Sequence, residues 1–135
     1  MSVLLVRHAR AGERDEWDGD DRLRPLDERG LRQAAALASV LEKLGATRLV
    51  SSPYARCIET LEPAASRLGL RIEARVELAE GATPAEVRAV ASPGAALCTH
   101  GDVIDALLPG RRAKKGSVWV LDDDLRPERY LPPPA

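Results

Sequence analysis

Apolar runs of strand length recur along the chain, and segments with helical periodicity separate most of them. The runs occupy residues 3–6, 47–50 and 94–99, with a weaker one at residues 70–76 and a last one at residues 117–121. Strands that alternate with helices favour a parallel sheet that is covered on both faces. We therefore predict an α/β fold, a three-layer sandwich with a mostly parallel central sheet, helices on both faces and right-handed crossovers.

Leucine and alanine at helical spacing, together with capping residues, predict the helices. They run from Asp27 to Gly45, from Pro53 to Gly69, over residues 85–91 after Thr83, and over residues 102–108. Pro63 is expected to interrupt the second helix because proline lacks the amide N–H. Residues 10–24 are rich in charge and glycine and show no period, which predicts a surface loop beside the strand ends. Residues 111–116 form a basic turn.

Length and composition fit one domain over residues 1–135, in which 44% of the residues are apolar. The 20 basic and 21 acidic residues give a net charge of −1, so we expect neither a nucleic acid nor a membrane as partner. No signal peptide or membrane-length apolar run is present, which predicts a cytoplasmic protein. Cys57 and Cys98 lack metal-ligand or disulfide spacing and are expected to be buried small apolar residues.

The two histidines of the chain, His8 and His100, each follow an apolar strand. In open α/β sheets the carboxyl ends of the strands form the ligand site, so both side chains are candidates for it. Arg7 offers a planar, permanently charged fork for phosphate oxygens, and a neutral imidazole at His8 is able to attack phosphorus. The alternative is that Arg7 and His8 begin a solvated loop.

Arg56 and Glu80 are the other candidates from the residues alone. Arg56 lies about one turn into the second helix, so its guanidinium can reach back over the helix N-terminus, where an anion is favoured. The alternative is an ion pair with Glu59, three residues further on. Glu80 lies in a strand-to-helix connection and is a candidate proton donor, with Glu77 a weaker one. Carboxylates in loops are otherwise solvated.

Three motifs together resemble the histidine phosphatase superfamily, which includes cofactor-dependent phosphoglycerate mutases and small phosphohistidine phosphatases. They are Val6-Arg7-His8-Ala9, Ser51-Ser52-Pro53 with Arg56 and Thr60, and Thr99-His100-Gly101, and the segment Arg24-Pro25-Leu26 with Gly30 and Gln33-Ala34 is similar to the short, single-domain branch. The resemblance implies a phosphoglycerate mutase-like fold, His8 as the nucleophile, and Arg7, Arg56 and His100 around the phosphate. In larger members a glutamate is the acid, and Glu80 is the nearest match.

Residues 98–104 and 115–121 are also similar to the phosphatase domain that follows a Nudix domain in some actinobacterial nucleotide-sanitising hydrolases, although this sequence has no Nudix box. The expected function is a metal-independent phosphatase without a cofactor, acting through a phosphohistidine intermediate. Its substrate would be a phosphohistidine on a protein or a small phosphomonoester. The alternative is a non-catalytic phosphate- or phosphoprotein-binding module of the same fold.

Overall fold

A computed structural model describes residues 1–134, and these residues form a central sheet between two layers of helices. The strands are β1 (Val3–Arg7), β2 (Arg48–Ser51), β3 (Ile72–Ala74), β4 (Ala95–Thr99), β5 (Val118–Leu121) and β6 (Pro127–Leu131). The helices are α1 (Glu28–Lys43), α2 (Ala55–Leu68), α3 (Pro84–Val90) and α4 (Gly101–Leu107), and short 3₁₀ turns lie at Arg14–Glu16, Asp21–Leu23 and Val76–Leu78.

The strand order is β3-β2-β4-β1-β5-β6, and the first four strands in this order run parallel. β5 and β6 close one side of the sheet as antiparallel strands. β4 lies between β1 and β2, so Cys98 is in register with both Val6 and Ser51. The carboxyl ends of these three strands therefore meet at one edge. The predicted α/β class, with a mostly parallel sheet and helices on both faces, is confirmed.

Alternate residues of the central strands pack on opposite layers. Leu4 and Val6 belong to the core beneath α1 and α2, whereas Val3 and Leu5 belong to the core beneath α3 and α4. A strand that is covered on both faces has apolar residues at every position, which is why apolar and polar residues do not alternate over residues 3–6. Cys57 and Cys98 are buried and not bonded to each other, as expected of small core residues.

One local prediction, a break at Pro63, is wrong, and one strand, β6, was not predicted. α2 continues through Pro63 without a break, because the buried face of the helix around Leu61 and Ala64 packs into the core and outweighs one lost hydrogen bond. β6 was not predicted, since its residues are partly exposed and it begins with Pro127, which only an edge strand tolerates. Among residues 1–134, no helix has both the length and the apolar character needed to cross a membrane.

Candidate active site

The side chains predicted to act together line one cavity of about 730 Å³ at the carboxyl edge of the sheet. Arg7 ends β1 and His8 follows it, Arg56 lies in the first turn of α2, and His100 follows β4. Glu80 reaches the same cavity from the connection between β3 and α3. The structure thus brings all five candidates together.

His8 is held as a neutral imidazole. Its ring is 6% exposed, and Nδ1 lies 2.8 Å from the carbonyl oxygen of Ala9. A carbonyl only accepts, so Nδ1 must carry the proton and Nε2 keeps its lone pair. Burial lowers the pKa of His8 to about 3, and the positive electrostatic influence of His100, Arg56 and Arg7 adds to this against the opposing bond to Ala9. At neutral pH His8 is uncharged.

Hydrogen bonds to Thr60 tie the segment after β1 to helix α2. The amide of Ala9 donates to Oγ1 of Thr60 over 2.9 Å, and this hydroxyl donates to the carbonyl of Arg56 over 2.6 Å. Thr60 therefore fixes the backbone next to His8 relative to the helix turn that carries Arg56. This is the physical role of the threonine in the second motif.

The start of α1 holds the other side of the same segment. The amide of Arg10 donates to Oε1 of Gln33 over 3.0 Å, and Asp27 caps the helix by accepting from the amide of Gly30 over 2.8 Å. A Cβ atom on Gly30 would overlap the carbonyl oxygen of Arg10. The glycine is required because two stretches of backbone approach each other closely here.

His100 presents one ring nitrogen to the cavity region and the other to the protein. Nε2 lies 2.8 Å from Oγ of Ser52, which also accepts from the amide of Tyr54 over 3.2 Å. Nδ1 is buried, finds no hydrogen-bond partner within residues 1–134, and lies 3.8 Å from Oε1 of Glu80. With the Ser52 hydroxyl donating to Nε2, Nδ1 carries the proton and is an available donor. The rings of His8 and His100 have centroids 5.4 Å apart.

The guanidinium of Arg56 is held by two carboxylates. Its side chain is only 1% exposed, and Nη2 lies 2.8 Å from Glu80 and 3.1 Å from Asp21. Nη1 donates to the carbonyl of Asp21 over 2.9 Å. The alternative pairing with Glu59 is not observed, because that carboxylate accepts from the amide of Leu26 over 3.0 Å.

Arg7 lies against the start of α4. Nη1 donates to the carbonyl of Ala113 over 2.6 Å, while Nε is buried without a partner. A Cβ atom on Gly101 would lie 2.9 Å from Cζ of Arg7, closer than side chains pack. The glycine after His100 therefore leaves room for this guanidinium.

Asp21 is a site residue that the sequence analysis missed. Its carboxylate receives Nε of Arg24 over 3.0 Å in addition to Arg56, and Arg14 lies 3.5 Å away. The pKa of Asp21 is lowered, since these positive charges outweigh the opposing effect of its partial burial. Asp21 lies in a loop without periodicity, and only its place among several arginines in the sequence hints at this role.

Positive charge dominates the cavity. Its lining contains seven arginine or lysine side chains and four carboxylates. Within residues 1–134, no group of three His, Cys, Asp or Glu side chains is arranged to hold a metal ion. An α/β sheet with a cationic cavity and a neutral imidazole at its carboxyl edge is the arrangement of a protein that binds phosphate.

The chain belongs to the histidine phosphatase superfamily (branch 1), whose family model matches residues 3–91. The family predicted from the motifs is thus confirmed. The match extends from β1 to the end of α3 and includes His8, Arg56 and Glu80.

An 8-oxo-(d)GTP phosphatase of Mycolicibacterium smegmatis is 40% identical over 98% of this chain. The chain spans about half of that protein, 48% of its length. Among solved structures, the protein histidine phosphatase SixA complexed with tungstate superposes with a TM-score of 0.82 at 22% identity, covering 98% of this chain and 97% of that one. A mycobacterial glucosyl-3-phosphoglycerate phosphatase gives 0.70 at 18% identity, covering 96% and 95%. These two structures share the fold.

The lowered pKa of His8 predicts a specific loss of stability on acidification. Between pH 6.5 and about 3 the unfolded chain binds a proton at this position and the folded protein does not, so the free energy of unfolding falls as the pH falls. From pH 7 to pH 5 this contributes about 2 kcal/mol. The His8→Asn variant keeps an amide that can donate to Ala9 but has no titrating ring. We expect its free energy of unfolding, measured in urea, to fall by about 2 kcal/mol less than that of the unmodified protein over the same pH range. Equal losses in both proteins would contradict a neutral His8.

Proposed function

We propose that this protein is a metal-independent phosphatase in which His8 accepts the phosphoryl group of a phosphohistidine or a small phosphomonoester. The observation that carries the proposal is the state of His8, a neutral imidazole with a free lone pair at Nε2 beside two guanidinium groups and a second imidazole. A side chain that only binds phosphate would gain from being charged. Burial that keeps the ring neutral supports a nucleophile instead.

The proposed reaction has two steps. Nε2 of His8 attacks phosphorus in line, a bond from nitrogen to phosphorus forms, and the bond to the leaving atom breaks with its electron pair. Water then attacks the same phosphorus, the bond to Nε2 breaks, and orthophosphate leaves with His8 neutral again. The bond between Nδ1 and the Ala9 carbonyl supports both steps, because it stabilises the positive charge that the ring carries while it is phosphorylated.

Arg7, Arg56 and His100 are assigned to the phosphate oxygens. Phosphoryl transfer requires mainly positioning and positive charge around the three equatorial oxygens, which these side chains supply. In the described part of the chain, each of them has a buried nitrogen without a hydrogen-bond partner: Nε of Arg7, Nε of Arg56 and Nδ1 of His100. Unpaired buried donors are costly, and a bound phosphate would satisfy those that face it.

Glu80 is assigned as the general acid for poor leaving groups, and it contacts two guanidinium groups. Oε1 receives Arg56 over 2.8 Å and Arg14 over 2.9 Å. A phosphate that binds Arg56 competes with this carboxyl group for the guanidinium. The acid thus becomes available where substrate has displaced the ion pair.

The names of the relatives support two substrate classes. SixA is a protein histidine phosphatase, and the Mycolicibacterium relative is a phosphatase of a nucleotide. The cavity opens to solvent beside the exposed loop of residues 10–24, which suits a phosphohistidine on a protein surface.

Turnover of p-nitrophenyl phosphate separates this proposal from the binding-module alternative. We expect orthophosphate release that EDTA leaves unchanged and that falls to the background rate in the His8→Ala variant, because the nucleophile is lost and no metal takes part. Binding of orthophosphate to that variant, followed by calorimetry, shows whether the cavity survives. Absence of turnover in the unmodified protein would support the binding module, and sensitivity to the chelator would contradict metal independence.

The role of Glu80 is tested by comparing two leaving groups. The Glu80→Gln variant should lose on the order of 100-fold in kcat on an alkyl phosphate such as glycerol 3-phosphate, whose alkoxide needs a proton. On phosphohistidine or p-nitrophenyl phosphate we expect a loss of no more than a few-fold. Glu77→Gln is the matched control, because Glu77 pairs with Arg75 outside the cavity. Equal losses on all three substrates would contradict the acid role.

A further inference from the structure

The turn between α4 and β5 carries positive charge into the cavity. We define the basic loop as residues 111–116, of which Arg111, Arg112 and Lys115 line the cavity together with Arg7 and His8. The proposed function does not use these three cations, because the transferred phosphoryl group is already surrounded by the side chains near His8.

Hydrogen bonds fasten the basic loop directly to the nucleophile's segment. The guanidinium of Arg7 donates to the carbonyl of Ala113 over 2.6 Å, and the amide of Gly116 donates to the carbonyls of both Arg7 and His8 over 3.1 Å. Gly116 has a φ of +84°, a conformation that favours glycine. Lys115 is therefore anchored one residue from a backbone contact with His8.

Strands β5 and β6 brace the outer part of the basic loop. Nε1 of Trp119 donates to the carbonyl of Arg112 over 2.9 Å, and the hydroxyl of Tyr130 accepts from the amide of Lys114 over 3.1 Å. The ring of Trp119 also packs beneath the guanidinium of Arg111, 5.7 Å from the ring centroid. The loop is thus a supported wall of the cavity, in contrast to a freely solvated turn.

The cations of the basic loop differ from those across the cavity in whether they form ion pairs with carboxylates. Arg14, Arg24 and Arg56 each contact a carboxylate within 3.5 Å. Within residues 1–134, Arg111, Arg112 and Lys115 form no such ion pair.

The surroundings of Lys115 leave part of this positive charge uncompensated. Partial burial and the charge of Arg7 lower the pKa of Lys115, and Glu13 opposes this only in part.

Asp102 and Asp105 also line the cavity, and Asp102 accepts from the amide of Gly81 over 2.8 Å. Seven cations against the four lining carboxylates and Asp21, which pairs with Arg56, leave two positive charges in excess. An anion larger than one phosphate fits this charge and a volume of about 730 Å³.

We propose that the basic loop binds a second phosphate group on the leaving-group side of His8, so that this protein removes the terminal phosphate of phosphoanhydrides. This inference rests on the His8 chemistry of the proposed function and adds phosphoanhydrides as a further substrate class for the same site. Nε2 of His8 attacks the terminal phosphorus, and the bond from that phosphorus to the bridging oxygen breaks. The electron pair stays on the bridging oxygen, which leaves as part of a phosphate, and water then releases orthophosphate from His8.

Leaving-group chemistry agrees with this assignment. A departing phosphate has an ionisation near pH 6 to 7, roughly that of a phosphate monoester, and so leaves without a proton from a general acid. Glu80, the candidate acid, contacts Arg14 and Arg56 and is not needed for this leaving group. The negative charge that develops on the bridging oxygen is stabilised by the cations of the basic loop. An imidazole leaving group develops no such negative charge, so the cations of the basic loop do not stabilise its departure.

The experiment compares tripolyphosphate with p-nitrophenyl phosphate in EDTA, using orthophosphate release as the readout for both. In the Lys115→Ala variant we expect kcat/KM on tripolyphosphate to fall about tenfold, because one charge-assisted hydrogen bond to the substrate is lost. On p-nitrophenyl phosphate we expect kcat/KM to fall at most about twofold. Lys115→Arg should recover most of the loss. Lys114→Ala is the matched control, since this neighbouring lysine lies outside the cavity lining and removes the same charge from the loop.

The outcomes separate the two proposals. Turnover of p-nitrophenyl phosphate with no turnover of tripolyphosphate would overturn the phosphoanhydride assignment and leave the proposed function standing. Equal losses on both substrates in Lys115→Ala, or an equal effect of Lys114→Ala on tripolyphosphate, would overturn the role of the basic loop. A protein that hydrolyses neither substrate would contradict the proposed function itself.

Discussion

One buried imidazole must stay neutral inside a cluster of positive charges, and the surrounding structure is arranged around this requirement. The carbonyl of Ala9 fixes the proton of His8 at Nδ1, while burial and the neighbouring cations oppose a second proton. Thr60 and Gln33 hold the backbone on either side of that carbonyl. A shift of this segment would change the protonation of the ring and its direction together, so the hydrogen bonds to α1 and α2 contribute to the chemistry as well as to the fold.

The arginines of the cavity divide into two sets with different roles. Asp21 and Glu80 hold Arg56 and its neighbours in place when no phosphate is bound, which keeps a nearly fully buried guanidinium from being an isolated charge. The cations of the basic loop have no carboxylate partner among residues 1–134 and are supported through backbone hydrogen bonds and Trp119. The first set is positioned by carboxylates, and in the proposed reaction substrate displaces these carboxylates, while the second set is the one proposed to bind a further phosphate.

Much of the fold was predictable because the strong signals are local. Apolar runs that end in His8 and His100 indicated buried parallel strands, and the caps at Asp27 and Thr83 indicated where helices begin. The convergence of Arg7, His8, Arg56 and His100 followed from one rule, that parallel strands meet at their carboxyl ends. Asp21 and β6 were not predictable in this way, because their positions depend on tertiary partners: three arginines in one case and the edge of β5 in the other.

The most direct test of this account is to identify the phosphorylated residue during turnover. The protein is mixed with excess p-nitrophenyl phosphate in EDTA, quenched in alkali after milliseconds, and analysed by peptide mass spectrometry and ³¹P NMR. We expect one acid-labile phosphoryl group per chain, bonded to Nε2 of His8. A phosphoryl group on His100 or another residue, or steady turnover without a phosphorylated protein at any time, would contradict it.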